Sequence, residues 1–265
     1  MTNYSCSNLS FYYGKKCIFE NTDFIINKGD VIALVGENGS GKTSFLKILG
    51  GIYKVKNYDV NYKVTYMFDK FSFYPFLTGL QNLKFFAILS KIKLSKVYEA
   101  LYLVGLYESR NLKFKKYSFG MKQKLCLARM LILDSDIYLF DEPLNGLDPI
   151  SIIKFKEIIN YLSSKNKTVI ISSHILKEIS QYTNKTLYIK NKKIINIDSK
   201  KYSYYLLTLE NFDNSINLDK ISNLIYKFYQ IDKINELLRY LISQNTIIKK
   251  IKYIENNLED IFGDV

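Results

Sequence analysis

A glycine-rich segment that ends in Lys-Thr lies between two apolar runs, in "VIALVGENGSGKTSFLKILGG" at residues 31–51. Gly36, Gly41, Lys42 and Thr43 match the phosphate-binding pattern G-x-x-x-x-G-K-[ST]. Glycines let successive backbone N–H groups turn toward one anion, and the following helix adds its unpaired N–H groups. An ordinary strand, turn and helix is the alternative. The strand-like and helix-like flanks favour binding of nucleotide phosphate.

Each polar group of this segment has a distinct expected role. The Lys42 ammonium should reach the outer phosphates, and the Thr43 hydroxyl should bind Mg²⁺. The predicted nucleotide contacts comprise the whole loop and the start of the helix: Gly36, Glu37, Asn38, Gly39, Ser40, Gly41, Lys42, Thr43 and Ser44.

Two acids, Asp141 and Glu142, directly follow the apolar run 137–140. In open α/β sheets, residues at the carboxyl ends of strands line the crevice where ligands bind. Asp141 is therefore predicted to hold Mg²⁺, directly or through water, and Glu142 to orient or deprotonate the attacking water. The alternative is a pair of helix-capping acids beside Pro143.

His174 is the only histidine, and it ends the strand-like run "TVIISSH" at residues 168–174. We expect it at the same sheet edge as Glu142, where an imidazole could contact the γ-phosphate. A neutral histidine with its hydrogen bonds satisfied at a strand end is the alternative. The neighbouring motifs favour the catalytic role.

Strand and helix patterns alternate along most of the chain, which predicts an α/β fold with a mostly parallel sheet. Two short strands are expected around Gly14 within residues 4–28, and further strands at 62–68, 136–143 and 168–174. Residues 78–133 are mostly helical, with breaks at Gly105 and at 118–120, and a helix is predicted at 151–164. Two more strands follow, "TLYIK" and "KIINI". From about Lys201 the sequence is polar and aromatic with helical patches. We place a nucleotide-binding domain at residues 1–200 and a C-terminal accessory segment at 201–265.

Composition excludes several classes of protein. With 265 residues, 48% of them hydrophobic, the chain can fold as one large α/β domain with a small addition. It contains no secretory signal and no apolar run long enough to span a membrane, which predicts a cytosolic protein. Cys6, Cys17 and Cys126 are too scattered for a zinc site and are expected to be reduced. The net charge of +13 is dispersed along the chain, so nucleic-acid binding is not expected, although weak attraction to a membrane surface is compatible with it.

Together these motifs resemble the nucleotide-binding subunit of an ABC transporter, over residues 1 to about 197. The Walker A match is Gly36–Thr43, and the Walker B match is Ile137–Asp141 with Glu142 as the family's catalytic carboxylate. The stretch "YSFGMKQKLCLAR" (117–129) is similar to the family signature, "LNGLD" (144–148) to the D-loop, and His174 to the switch histidine. In the signature, Ser118 and Gly120 hold the two key positions, and Tyr117, Phe119 and Met121 replace Leu, Gly and Gln.

The resemblance also implies an aromatic platform for adenine. The "YG" at 13–14 makes Tyr13 the first choice and Tyr12 the reserve, since an aromatic ring can stack on any base. A core aromatic in a tyrosine-rich chain is the alternative for Tyr13.

Two positions depart from the family pattern. The Q-loop position is Asp69, where the family usually has Gln; its carboxylate can still ligate Mg²⁺, but with a shorter reach. Phe119 replaces the first glycine of the signature. Variants of the form YS-x-GM-[KR]-Q resemble those of exporters of antibiotics, lantibiotics and similar drugs, which implies that subfamily.

The resemblance implies a P-loop NTPase fold with an N-terminal antiparallel β-subdomain, an inserted helical subdomain at about 78–133 and a small C-terminal extension. It implies an ATPase that uses ATP and Mg²⁺. Two copies would close head to tail, with Ser118 and Gly120 of one copy on the γ-phosphate bound by the other. The copies, expected to form a homodimer, would drive export through separate multi-spanning permease subunits at the inner face of the cell membrane.

Two further stretches fit this picture. The aromatic segment "FSFYPFLTGLQNLKFF" (71–86) is interpreted either as a docking groove for a helix of the membrane subunit or as core. The ending "NNLEDIFGDV" resembles the "LE-x-x-F" ending of drug-exporter subunits. A soluble ABC ATPase acting on ribosomes or DNA, and a regulatory ATP-binding protein of low turnover, are the alternatives; Asp69 and Phe119 keep the second one open.

Overall fold

A computed structural model describes residues 3–67, 73–173, 179, 183–197, 204–210, 218–222 and 224–254. The chain divides into two compact units, Met1–Asn196 and Ile197–Val265. Within the described residues, no helix is both long and apolar enough to cross a membrane.

A six-stranded sheet with the order β4-β5-β6-β3-β7-β8 forms the centre of the first unit. The pairs β4–β5, β5–β6, β6–β3 and β3–β7 are all parallel, as the alternation of strand and helix patterns predicts. These strands are β3 (Val31–Gly36), β4 (Val64–Met67), β5 (Ile137–Phe140), β6 (Thr168–Ser172), β7 (Lys185–Lys190) and β8 (Lys193–Ile197). Every residue of β3, β5 and β6 is buried, which explains why their sequences are continuous apolar runs.

An antiparallel pair, β1 (Asn3–Tyr13) and β2 (Lys16–Asn27), turns at Gly14 as predicted and is longer than the sequence suggested. Its inner face packs on the first helix, α1 (Lys42–Leu49). The Phe45 ring makes edge-to-face contacts with Phe19 and Phe24 at centroid distances of 6.1 and 5.1 Å. This core holds α1 between the β1–β2 pair and the central sheet, and so fixes the position of the loop that precedes α1.

The predicted helical region contains α2 (Gly79–Leu89), α3 (Leu94–Leu103) and α4 (Phe119–Leu133), with a 3-10 turn at Phe114–Lys116. Helix α2 begins with a capping box. The Gln81 N–H donates to Thr78 Oγ1 at 3.1 Å, and the Thr78 N–H donates to Gln81 Oε1 at 2.9 Å. Helix α5 (Pro149–Ser164) then returns the chain to β6. Its first turn is capped by Asp148, whose carboxylate accepts the Ser151 N–H at 2.9 Å.

The second unit differs from the interpretation based on sequence. One helix, α6 (Ile234–Ser243), follows a 3-10 turn at Ile231–Lys233, but the other described elements form an antiparallel sheet of order β10-β11-β9-β12. Its strands are β9 (Tyr204–Leu209), β10 (Asp219–Ser222), β11 (Ile225–Phe228) and β12 (Ile248–Ile254). Leu207 and Tyr226 are buried in the same core as Leu237 and Leu241 of α6. The predicted "LE-x-x-F" ending lies outside the described residues.

Candidate active site

The loop between β3 and α1 has the backbone conformation that its glycines predict. Gly41, at the N-terminus of α1, has φ +114°, and a Cβ there would lie 2.8 Å from Ile18 Cγ2 and 3.0 Å from Phe19 Cζ. Any larger residue would therefore be strained and would also clash with β2. Ser40 Oγ is buried and has no hydrogen-bond partner among the described residues, so its hydroxyl is free to donate to a ligand held by this loop.

Lys42 is 7% exposed, and its ammonium is held inside its own loop. Lys42 Nζ donates to the carbonyl oxygen of Gly36 at 2.8 Å and to that of Glu37 at 3.2 Å. Lys42 Nζ also lies 3.8 Å from Glu142 Oε1. The sheet edge thus brings the cation of the phosphate loop close to the carboxylate that follows β5.

Asp141, which is 8% exposed, is the centre of a hydrogen-bond network. Its Oδ2 accepts the Thr43 hydroxyl at 2.7 Å and the Tyr66 hydroxyl at 3.0 Å, and its Oδ1 accepts the Ser172 hydroxyl at 2.6 Å. Three donors on three different elements therefore fix one carboxylate. The sequence assigned Thr43 and Asp141 each to Mg²⁺, and gave no role to Tyr66 or Ser172.

Glu142 has a left-handed backbone conformation, φ +47°, which is uncommon for a residue with a long side chain. Its N–H donates to Ser172 Oγ at 2.8 Å, so one serine hydroxyl contacts both acids of the pair. The side chain is 21% exposed and reaches the face on which Lys42 lies. These contacts differ from the alternative of helix-capping acids, because α5 is capped by Asp148.

A cavity of about 290 Å³ lies beside the phosphate loop. It is lined by Lys16 and Ile18 of β2, by Tyr188 and Lys190 of β7, and by the loop residues Glu37–Ser40. Its three lysines, Lys16, Lys190 and Lys192, outnumber its one acid, Glu37, so the lining carries a net positive charge that suits a phosphorylated ligand.

Tyr13 and Tyr12 are 64% and 55% exposed, which differs from the core position that was the alternative for Tyr13. The Tyr13 ring lies 6.1 Å from the ring of Tyr53, which itself stacks on Phe11 at 5.0 Å. Tyr13 therefore lies beside an aromatic pair and remains mostly exposed. A hydrogen bond with the Cys17 thiol raises the pKa of the Tyr12 phenol above its ordinary value.

The signature residues begin α4. Ser118 is the N-cap, and its hydroxyl accepts the Met121 N–H at 3.2 Å. Phe119 is 52% exposed, whereas Tyr117 is buried and donates its hydroxyl to the carbonyl of Ser109 at 2.9 Å. A Cβ at Gly120 would lie 3.6 Å from Asp148 Oδ2, so this part of α4 lies against the start of α5 rather than against the phosphate loop of the same chain.

Two predicted residues, Asp69 and His174, lie outside the described residues. The three cysteines are free, and burial raises the pKa of the Cys126 thiol to about 12 and also raises that of Cys6. Cys126 is therefore protonated at neutral pH, as expected for a structural thiol.

Comparison with known proteins identifies the relatives of this chain. Residues 19–145 match the family model described as "ABC transporter". The chain is 30% identical to the bacitracin transport ATP-binding protein BcrA of Enterococcus faecalis, over 97% of this chain and 94% of that protein. It is 34% identical to the lantibiotic transport ATP-binding protein SrtF of Streptococcus pyogenes, over 82% of this chain and 94% of that protein.

Solved structures share the fold. The dimeric post-hydrolysis state of the ATP-binding cassette MJ0796, bound to ADP and Pi, superposes with a TM-score of 0.64 at 22% identity, over 74% of this chain and 98% of that one. The ADP conformation of the cassette MJ1267 gives the same TM-score at 21% identity, over 74% and 90% of the two chains. The chain therefore belongs to the ABC transporter family, as an ATP-binding and ATP-hydrolysing subunit.

Proposed function

We propose that Lys42, Glu142 and the loop Gly36–Thr43 bind and hydrolyse ATP at the carboxyl edge of the central sheet. This proposal rests mainly on four side chains that lie together at the sheet edge. Lys42 Nζ is 3.8 Å from Glu142 Oε1, and Thr43 Oγ1 is 2.7 Å from Asp141 Oδ2. The loop N–H groups, Ser44 and the Ser40 hydroxyl would contact the phosphates. Lys42 would exchange its carbonyl partners for phosphate oxygens, because a charged phosphate oxygen is a stronger hydrogen-bond acceptor for an ammonium than a neutral carbonyl is.

Glu142 has the properties of a general base in this arrangement. Its carboxylate is partly exposed, so a water can reach it, while its backbone is fixed by Ser172. It would orient the attacking water and accept its proton. His174, two residues after the end of β6 in the sequence, would contact the γ-phosphate. Tyr13 would stack on adenine.

Thr43 and Asp141 supply the hard oxygen donors that suit Mg²⁺, and Asp69 would add a third. Their two oxygens already lie together, and few protein ligands are needed because the cation takes its other ligands from phosphate and water. When bound, Mg²⁺ would neutralise charge on the β- and γ-phosphates.

The second half of each site would come from another copy of the chain. Ser118 and Gly120 lie on the exposed start of α4, where they can meet a nucleotide held by a partner. The helix N-terminus directs its free N–H groups there, so its dipole would favour the γ-phosphate. We infer a head-to-tail homodimer with two ATP molecules.

The membrane partner would dock on the aromatic face that precedes and begins α2. Tyr74, Phe76 and Phe85 are 50%, 72% and 37% exposed, whereas Phe73 is buried, so the segment has both an outer and a core side. A multi-spanning permease subunit would place this chain at the inner face of the cell membrane. Because the relatives are named for bacitracin and lantibiotic transport, we propose a peptide antibiotic or a similar drug-like compound as the exported cargo.

The composite site is tested by mixing two inactive variants. Lys42→Ala removes the phosphate loop's cation, and Gly120→Asp places a carboxylate on the signature face. Each should lower ATPase activity about a hundredfold or more alone. The mixture should recover activity, because a mixed dimer contains one site with an intact loop and an intact signature. Absence of recovery, with both variants folded and dimers present, would contradict the shared site. Loss of activity on chelation of Mg²⁺ tests the metal, and co-purification with a permease tests the partner.

A further inference from the structure

Side-chain contacts join the start of α4 to the loop 144–148. A Cβ at Gly146 would lie 3.1, 3.7 and 3.8 Å from Cε1, Cζ and Cδ1 of Phe119, so the edge of the phenyl ring covers this glycine. Gly146 has φ +73°, and its lack of a side chain is what lets the ring approach the backbone.

Two further contacts lie beside this one. Gln123 Nε2, one turn along α4, donates to the carbonyl oxygen of Asn145 at 3.4 Å. A Cβ added at Gly120 would lie 3.6 Å from Asp148 Oδ2 and 3.6 Å from Ser151 Oγ, so Gly120 faces the start of α5. Gln123 is buried, so water competes little for that hydrogen bond. The first turn of α4 and the loop 144–148 therefore form one packed surface.

The same loop is bonded to Glu142. The Asn145 N–H donates to the carbonyl oxygen of Glu142 at 3.3 Å, and the Leu147 N–H donates to that of Leu144 at 3.1 Å, which makes a tight turn directly after the proposed base. A continuous path of contacts thus runs from Phe119 through Gly146 and Asn145 to the backbone of Glu142.

We propose that Phe119 is a positioning residue that couples the two nucleotides of the dimer. The inference rests on the proposed function, in which α4 meets the partner's nucleotide and Glu142 acts on the nucleotide of its own chain. When the signature docks on the partner's nucleotide, the loop 144–148 would move with it and shift the backbone of Glu142. Nucleotide binding at one site would then change the rate of hydrolysis at the other. A glycine at this position, as the family signature usually has, provides no ring to make this contact.

The test compares Phe119→Ala, Phe119→Leu, Gly146→Ala and the double variant Phe119→Ala/Gly146→Ala. Tyr102→Ala is the matched control, since Tyr102 is also an exposed aromatic of the helical region, at 76%. We expect Phe119→Ala to lower kcat about tenfold and bring the Hill coefficient for ATP close to 1, with the Kd of the isolated chain for MgATP within about twofold of wild type. Phe119→Leu should recover part of kcat.

The double variant separates loss of the contact from strain at Gly146. An alanine there would be strained at φ +73° in any background, but it can displace the ring only when the ring is present. Gly146→Ala should therefore lower kcat less in the Phe119→Ala background than in the wild type. Full additivity, or an unchanged kcat and Hill coefficient in Phe119→Ala, would overturn this inference alone. A wild-type protein that hydrolyses ATP as a monomer without cooperativity would overturn the two-copy site as well. Thermal melting of each variant separates these effects from misfolding.

Discussion

The sheet edge and the start of α4, the two surfaces proposed to meet at one nucleotide, are built in opposite ways. At the sheet edge Lys42 and Asp141 are 7% and 8% exposed, and Asp141 accepts hydrogen bonds from Thr43, Tyr66 and Ser172. At the start of α4 Phe119 is 52% exposed, and Ser118 is exposed as well. One surface is pre-organised by its own chain. The other has its polar groups on the outside, as a surface that must recognise a second molecule does.

The largest effect should come from Glu142→Gln. The amide keeps the shape of the side chain but cannot accept a proton, so we expect a loss of about 10²- to 10⁴-fold in kcat with MgATP affinity retained. Steady-state ATPase assays and nucleotide titration measure the two quantities, and gel filtration with MgATP should show a trapped dimer. Wild-type turnover in this variant would show that Glu142 is not the general base.

Gly120→Asp should affect the exposed surface alone. A Cβ at this position would lie 3.6 Å from Asp148 Oδ2, an ordinary contact distance, so the backbone can accept it. The new carboxylate repels phosphate and also Asp148, so thermal melting must show that the variant is folded. We expect about a hundredfold lower kcat with an unchanged Kd of the isolated chain for nucleotide, whereas Lys42→Ala should weaken that Kd. Gly120→Ala, which adds a methyl group without charge, is the control. Equal loss of nucleotide affinity in Gly120→Asp and Lys42→Ala would remove the distinction between the two surfaces.

The sequence predicts the proposed site residues that share one short motif. It does not predict those that meet only because their strands are neighbours in the sheet. Local spacing in the sequence identifies the loop Gly36–Thr43 and the pair Asp141–Glu142. It does not identify Tyr66 or Ser172, because a tyrosine in a buried run and a serine at a strand end are ordinary residues. Their hydroxyls meet Asp141 only because β4, β5 and β6 are neighbours, with Tyr66 opposite Leu139 and Ile171 opposite Phe140.

The sheet of the second unit was missed for a different reason. In β12, Ile248, Ile251 and Ile254 recur every three residues, which resembles the period of a helix more than the alternation of a strand. The strand lies at the edge of its sheet, and five of its seven residues are exposed. With little burial to enforce alternation, the pairing with β9 determines its conformation, and that pairing is not readable from either segment alone.

A smaller effect is expected when the donors to Asp141 are removed. Ser172→Ala leaves the N–H of Glu142 without its acceptor and Asp141 Oδ1 without a donor, a loss of about 1–3 kcal/mol for buried polar groups. Tyr66→Phe removes one of two donors to Oδ2 and should cost about 1 kcal/mol. We therefore expect kcat to fall more in Ser172→Ala than in Tyr66→Phe, and the Mg²⁺ concentration for half-maximal activity to rise in both. The reverse order of effects would show that Oδ2, not Oδ1, determines the position of the carboxylate.

The smallest effect should come from Asp134, at the opposite end of β5 from the nucleotide edge. Its carboxylate lies 3.3 Å from Lys96 Nζ on α3 and 3.0 Å from Lys167 Nζ before β6, so it links the helical region to the central sheet. The hydrogen bond from Lys167, opposed in part by desolvation, lowers the pKa of Asp134 below its ordinary value. The stabilisation is therefore present above the unfolded pKa and is lost as the pH falls through the folded pKa.

Asp134→Asn isolates this charge, because asparagine also tolerates the left-handed backbone of Asp134, φ +47°. The side chain is 57% exposed, so solvent screening should limit the loss in the free energy of unfolding to less than about 1 kcal/mol at pH 7. Denaturant unfolding at pH 7 and again below the folded pKa measures this, and the difference from wild type should vanish at the lower pH, where both side chains are neutral. High salt should also reduce this difference in stability.

ATPase activity should stay unchanged in Asp134→Asn, because the coupling between α4 and Glu142 runs through Phe119 and the loop 144–148 at the other end of the helix. A change in kcat that follows the change in stability would mean that the attachment of α4 at its C-terminal end also sets the exposed surface at its start.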